Sequence, residues 1–330
     1  VSGQPGRRLG NALRGRSRRP IVIEIHDVLR REPGSDTLFS ARLFLAIYVL
    51  VVLAGTIVLM TPWVTTSGNA TPVQDALFTA VSATSVTGLV TLDTRDHWNL
   101  AGQITILVMI QAGGLGFMVG ASLVLRMIGR GEGRRLRDAI MIRDNIPTLS
   151  LSEAVSLSRR IVKFTVVVEF IGAVILAGYF AREMPVGSAV WHGLFHSISA
   201  FCNAGFDLQG GFQSMVPYRE SPLINLVFIV LITLGSVSFI VLADVENKRR
   251  WRMLHVNSKI ILVSSLVLTI IGFVTFLSAE WGRSMAGTAD WTKPMQALFQ
   301  SVSGRTAGFS TVDFAETHHF TLFIYMALMF

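Results

Sequence analysis

Leu77-Phe78-Thr79-Ala80-Val81-Ser82-Ala83-Thr84-Ser85-Val86-Thr87-Gly88-Leu89 is one of three copies of a short pattern, and the fold turns on it. The second copy is Leu194-Phe195-His196-Ser197-Ile198-Ser199-Ala200-Phe201-Cys202-Asn203-Ala204-Gly205-Phe206. The third is Leu298-Phe299-Gln300-Ser301-Val302-Ser303-Gly304-Arg305-Thr306-Ala307-Gly308-Phe309. Each copy is an apolar pair, a run of small and hydroxyl residues, a single glycine, then Leu or Phe. Copies separated by on the order of a hundred residues read as repeated membrane modules rather than solenoid units. Each lies between two long apolar runs and is too short and too polar to span a bilayer. That is the pattern of a re-entrant segment: a half helix enters the membrane and the backbone returns through a water-lined cavity.

Composition points the same way. Hydrophobic residues make up 51% of the chain and charged ones 15%, against about a quarter charged in a soluble domain. The net charge of +8 would suit nucleic acid, but its placement argues against that partner. Arg7, Arg8, Arg14, Arg16, Arg18 and Arg19 precede the first apolar run, and further clusters span 126–163 and 248–259. The alternate loops carry only Arg95, Arg182, Arg219, Arg283 and Lys293. This asymmetry predicts a multi-pass protein of the cell membrane with a cytoplasmic N-terminus. Cys202 is the single cysteine, so neither an intrachain disulfide nor a thiolate metal cluster is available. The arginine-rich start has no apolar core and does not read as a signal peptide.

The predicted organisation is an all-α integral membrane protein built from helix–re-entrant loop–helix modules around a central pore. Residues 1–37 form a basic cytoplasmic tail and 38–128 the first module. A polar linker covers 129–160, the second module 161–243, a cytoplasmic turn 244–259, and the third module 260–330. Spans are expected at 38–60, 100–128, 161–180, 222–242 and 260–279, with a sixth beginning at Phe320. Only three modules are present. The chain is therefore expected to continue by one more, on the order of 100 residues, because a three-quarter ring desolvates an ion unfavourably.

A half helix that ends near mid-membrane points its partly negative carbonyl end at the centre. The residues that follow, Ser85-Val86-Thr87-Gly88-Leu89 in the first copy, can turn backbone carbonyls inward. Glycine supplies backbone angles denied to other residues and places no side chain in the path. Converging carbonyls replace the water shell of a monovalent cation, and the absence of acidic residues in the stretches disfavours a divalent-cation site. Asp93, Asp207 and Asp313 follow their glycines closely, where they can enrich cations at an outer mouth or serve as caps and turns. Cys202 reads as a small pore-lining residue. Arg305 should point away from the axis toward carbonyls or a carboxylate. Glu169, at membrane depth, reads first as a hydrogen-bonded structural group. The Gly-dense run 111–117 reads as either helix packing or a flexible point beneath the pore.

These stretches resemble those of the ion-conducting subunit of the Trk/Ktr/HKT superfamily of potassium transporters. Ser85-Val86-Thr87-Gly88-Leu89, Cys202-Asn203-Ala204-Gly205-Phe206 and Arg305-Thr306-Ala307-Gly308-Phe309 match its first three filter segments. Gln111-Ala112-Gly113-Gly114-Leu115-Gly116-Phe117 matches a pattern in the second helix of a repeat, and the short N-terminus is closer to the Ktr branch. The resemblance covers residues 35–330. It implies four repeats around one pore, potassium uptake influenced by sodium, a homodimer and a cytosolic nucleotide-binding regulatory ring. It also implies that the filter carbonyls bind potassium, with no cofactor in the chain. In the second repeat, Gly235-Ser236-Val237-Ser238-Phe239 stands where a second Gly-rich run is expected. The rival readings are a broken-helix secondary carrier for another cation or small solute and a membrane enzyme. His192, His196, His318 and His319 would serve the latter, but they read better as structural groups. Gly88→Asp or Gly205→Asp is expected to change selectivity with the fold largely intact.

Overall fold

The computed structural model describes residues 35–116, 151–237 and 239–329. The basic tail up to residue 34, most of the 129–160 linker, and the end of the second predicted span lie outside the described residues. Among the described residues the secondary structure is helical, with one isolated bridge between Thr65 and Trp98.

Helix α1 (Ser35–Leu59) leads by a turn into the short α2 (Val73–Thr84), which holds most of the first pattern copy. The one-turn α3 (Thr94–His97) and then α4 (Leu100–Gly114) follow. Asn99 starts α4 by accepting from Ala101 N at 2.9 Å, the side-chain cap that an N-terminus requires. Helix α5 (Leu151–Phe180) precedes the second short helix, α6 (Val186–Phe201), and α7 (Pro222–Ser236) follows. Pro72 and Pro185 are the N-caps of α2 and α6, and Pro222 opens α7, where a missing N–H costs nothing. After α8 (Phe239–Lys248) come α9 (Val256–Ala279), the third short helix α10 (Lys293–Ser303) and α11 (His319–Leu328).

Three boundaries differ from the hydropathy reading. Helix α5 begins at Leu151, so residues 151–160 of the expected linker are helical. The expected single span 222–242 is two helices, because Val237 takes an extended conformation (φ −77°, ψ 128°) and ends α7. The expected turn 244–259 contains the end of α8 and the start of α9. It is tied by Asp244, which accepts from His255 N at 2.9 Å and pairs with Lys248 at 2.9 Å.

Each short helix packs against longer ones, and α6 and α10 also touch the preceding set. Helix α2 lies on α1 and α4, α6 on α5, α7 and α4, and α10 on α9 and α7. Polarity is inverted relative to a water-soluble fold. Thr79, Ser82, His196, Ser199, Gln300 and Ser303 are buried on the short helices. Leu45, Val108, Phe170, Leu226, Leu266 and Ile270 are exposed on the long ones. A continuous exposed apolar belt needs an apolar solvent or a partner. Two stretches, Arg159–Phe180 and Val256–Ala279, are long and apolar enough to cross a bilayer.

Candidate functional site

The three glycine stretches meet at one place. A Cβ built on Gly88 would lie 2.5 Å from Ala204 O and 3.1 Å from Gly205 Cα. One on Gly205 would lie 2.8 Å from Gly308 Cα. One on Gly308 would lie 2.9 Å from Gly205 Cα and 3.8 Å from Thr87 O. The Gly205 and Gly308 backbones are therefore in contact. This corrects one expectation: Gly88→Asp or Gly205→Asp would drive a side chain into a neighbouring backbone, so neither can leave the local fold intact.

The local backbone repeats in all three copies. Gly88, Gly205 and Gly308 are left-handed, with φ of +79°, +72° and +81°. Two residues earlier, Val86, Asn203 and Thr306 are left-handed too, at +56°, +58° and +68°. Asn tolerates such angles, whereas β-branched Val86 and Thr306 rarely adopt them and carry the strain. Left-handed residues alternating with ordinary ones gather successive N–H groups on one side of the chain and carbonyls on the other. The residue before each glycine then hydrogen-bonds back to its own helix. Thr87 N donates to Ser82 O at 2.9 Å, Ala204 N to Ser199 O at 2.7 Å, and Ala307 N to Ser303 O at 2.9 Å. Among the described residues, no donor reaches the carbonyls of Val86, Thr87, Gly88, Asn203, Ala204, Gly205, Thr306, Ala307 or Gly308. Sequence reasoning anticipated the glycines and missed the left-handed residues before them, since nothing in Val, Asn or Thr announces that geometry together.

Helix packing holds this junction from behind. A Cβ on Gly113 would lie 2.0 Å from Thr84 O, and one on Gly235 would lie 1.7 Å from Phe201 O. Thr84 and Phe201 are the last residues of α2 and α6, so these glycines let α4 and α7 lie directly against the short-helix ends. The 111–114 part of the Gly-dense run is thus a packing surface, and Gly235 alone performs that role in the second copy.

The remaining candidate residues fall into place around it. The Cys202 thiol turns toward Gln111 Oε1 and Glu169 Oε1, at 3.7 and 3.8 Å, rather than toward the glycines. Glu169 also accepts from Gln111 Nε2 at 3.1 Å, as a hydrogen-bonded structural group does. Arg305 points away from the glycines and donates to the Ser265 hydroxyl on α9, not to the carbonyl or carboxylate expected. Ser85 and Thr87 share a hydroxyl contact of 2.5 Å, and Thr306 Oγ1 donates to Arg305 O at 2.6 Å. Leu89 is 60% exposed, whereas Phe206 and Phe309 are buried.

All three aspartates accept from nearby backbone amides, and Asp93 also reaches the second copy. Asp93 caps α3 and also accepts from Phe212 N at 2.8 Å. Asp207 accepts from Gln209 N at 2.9 Å, and Asp313 from Ala315 N at 2.9 Å. Beyond the stretches, Arg95 donates to Gln209 O at 3.0 Å, Asp96 accepts from Gly211 N at 3.2 Å, and Met215 N donates to Ser310 O at 2.9 Å. The first outer loop therefore leans on the second copy, and the second on the third. No group of three or more His, Cys, Asp or Glu residues suited to a metal occurs among the described residues.

Donor-free carbonyls at the negative ends of three helices bring partial negative charge together at one place. The sequence model of the TrkH family, described as a cation transport protein, matches residues 45–330, and the chain belongs to that family. Its members are ion transporters, not enzymes. The potassium/sodium uptake protein NtpJ of Enterococcus hirae is 35% identical over 294 residues, covering 89% of this chain and 64% of that protein. The Ktr system potassium uptake protein B of Bacillus subtilis is 34% identical over 289 residues, covering 86% and 63%. The chain thus spans less than two thirds of the length of these curated relatives. The crystal structure of the potassium transporter TrkH from Vibrio parahaemolyticus shares the fold. Its TM-score is 0.60 at 20% identity, over 91% of this chain and 57% of that one.

Proposed function

We propose that the protein conducts potassium ions inward across the cell membrane through a filter of backbone carbonyls. The filter comprises Ser85–Leu89, Cys202–Phe206 and Arg305–Phe309. The observation that carries this reading is the threefold recurrence of one strained backbone whose carbonyls have no donor. Keeping β-branched Val86 and Thr306 left-handed costs about 1–2 kcal/mol each. Such a cost is sustained where an interaction with a ligand returns it. The relatives' names, potassium uptake and potassium/sodium uptake, support the choice of ion and an influence of sodium. Because Gly205 and Gly308 touch, conduction requires these two stretches to part.

In this reading α2, α6 and α10 are pore helices that enter from outside, and each glycine stretch is a re-entrant leg. The modules comprise 38–128, 161–243 and 260–330, with the basic tail, the 129–160 linker and the 244–259 connection in the cytoplasm. The exposed apolar belt is the lipid face. A homodimer and a cytosolic nucleotide-binding ring complete the assembly, supported by relatives named for a Ktr system.

Reconstituted in vesicles, the full-length protein should accumulate rubidium and potassium, and should exclude alanine-sized organic solutes. Uptake of the organic solute instead would replace the filter with a carrier. For orientation, single cysteines in a Cys202→Ser background should react with impermeant maleimide from outside near Arg95 and Arg219, and not near Arg249.

A further inference from the structure

His196 and Gln300 occupy the same place in the second and third pattern copies, and both are fully buried. His196 donates from Nδ1 to His192 O at 2.8 Å, which fixes Nε2 as an acceptor. That Nε2 receives Leu208 N at 3.2 Å. Gln300, with its amide turned so that the oxygen faces the loop, receives Thr311 N at 2.8 Å and Val312 N at 3.2 Å. Leu208 and Thr311 stand at matching positions, each the third residue after its glycine. Two chemically different side chains thus supply one neutral acceptor to one backbone amide. In the first copy the position is Thr79, whose hydroxyl is buried and has no partner; it is too short for this reach.

We propose that His196 and Gln300 are positioning residues that fix the outward leg of the filter and thereby its discrimination between ions. The inference rests on the filter reading above. An amide held by a buried acceptor cannot rotate without leaving both groups unpaired in a dry interior, so the carbonyls three residues away keep their orientation. The requirement is for an acceptor of the right reach, not for an imidazole. His196→Gln should therefore act like the native residue, because glutamine already does the job in the third copy.

The test uses the full-length protein in vesicles, with rubidium and sodium uptake measured separately. His196→Leu and Gln300→Leu should each lower the rubidium-to-sodium ratio roughly tenfold, the scale of one buried hydrogen bond. His196→Gln and Thr79→Ala should keep the wild-type ratio. A folded His196→Leu protein with an unchanged ratio overturns the proposal, as does a His196→Gln protein that loses as much as His196→Leu. Amide hydrogen exchange at Leu208 gives a second readout that needs no transport. His196→Leu should speed exchange there and His196→Gln should not; equal exchange in all three proteins also overturns the proposal. If the wild type moves no rubidium, the potassium reading fails, and the exchange result still decides the role of His196.

Discussion

The first glycine stretch and the second differ in how they are held, although their backbones match. In the second copy Phe206 belongs to the apolar cluster of the first copy, which also holds Ala76, Ala80 and Leu107. In the third, Phe309 belongs to the cluster of the second, its ring 4.9 Å from that of Phe228. Leu89 enters no such cluster among the described residues and is exposed. The side-chain braces follow suit. Ser199 Oγ donates to Phe206 O at 2.6 Å and Ser303 Oγ donates to Phe309 O, while Ser82 Oγ has no partner. Ser197 donates to Glu169 O at 2.7 Å and Ser301 to Thr269 O at 2.6 Å, but the first copy has Ala80 at that position. Identical local conformation therefore does not imply identical rigidity. What fixes a stretch is its reach into neighbours.

The largest test of this contrast is truncation of the residue after each glycine. Phe206→Ala and Phe309→Ala should each destabilise the protein by about 3–5 kcal/mol, the usual cost of emptying a buried aromatic site. Leu89→Ala should cost well under about 1 kcal/mol, since it is already exposed. Thermal unfolding in detergent would show the difference, and an equal loss at Leu89 would break the comparison.

A smaller effect is expected from the serine braces. Ser199→Ala and Ser303→Ala each remove a buried hydrogen bond and should cost about 1–2 kcal/mol, with a matching loss of ion discrimination. Ser82→Ala removes a hydroxyl without a partner and should be neutral or slightly stabilising. If all three variants behave alike, the first stretch is as firmly held as the others.

The smallest prediction concerns acidity at the mouth. Burial pushes the Asp207 carboxyl up to about 6, against the opposing Gln209 N–H and with help from the Asp93 charge. A carboxyl with a raised folded value stabilises most at acid pH, below its unfolded range. That contribution is lost as pH rises through about 6. Its negative charge at the mouth appears over the same interval. Wild-type uptake should therefore fall modestly as external pH drops below about 6, and Asp207→Asn should flatten that limb. An unchanged profile in the variant would remove Asp207 from the mouth's electrostatics.

The helical character, the place of the short helices and the three glycines were legible because each follows from local pattern. The apolar runs set the long helices, and a glycine flanked by small residues marks where a backbone must turn left-handed. The break at Val237 was not legible, because Gly235, Ser236 and Ser238 are too few to interrupt an apolar window and hydropathy does not register a change of φ and ψ. Cys202 was read as pore-lining because it is small and adjoins the stretch. Its thiol faces Gln111, a residue ninety positions away in sequence whose proximity only packing creates. Arg305 was foreseen to turn outward on electrostatic grounds, but its hydroxyl partner on α9 was not. The bracing roles of Ser199, Ser303, His196 and Gln300 were hidden in the pattern's hydroxyl-rich run. That run signals polarity without saying which hydroxyl finds a carbonyl.

The outer loops bear on how the protein is made. Arg95, Asp96 and Asp93 of the first copy are tied to Gln209, Gly211 and Phe212, and these pairs are 114, 115 and 119 residues apart in sequence. A ribosome adding roughly 5–20 residues per second needs about 6–24 s to supply those partners. During that interval the first glycine stretch has its own Thr87 N to Ser82 O bond at 2.9 Å but not these clamps from the second copy. Securing therefore follows the order of synthesis: the first copy waits for the second, and the second, through Met215 N and Ser310 O, waits for the third.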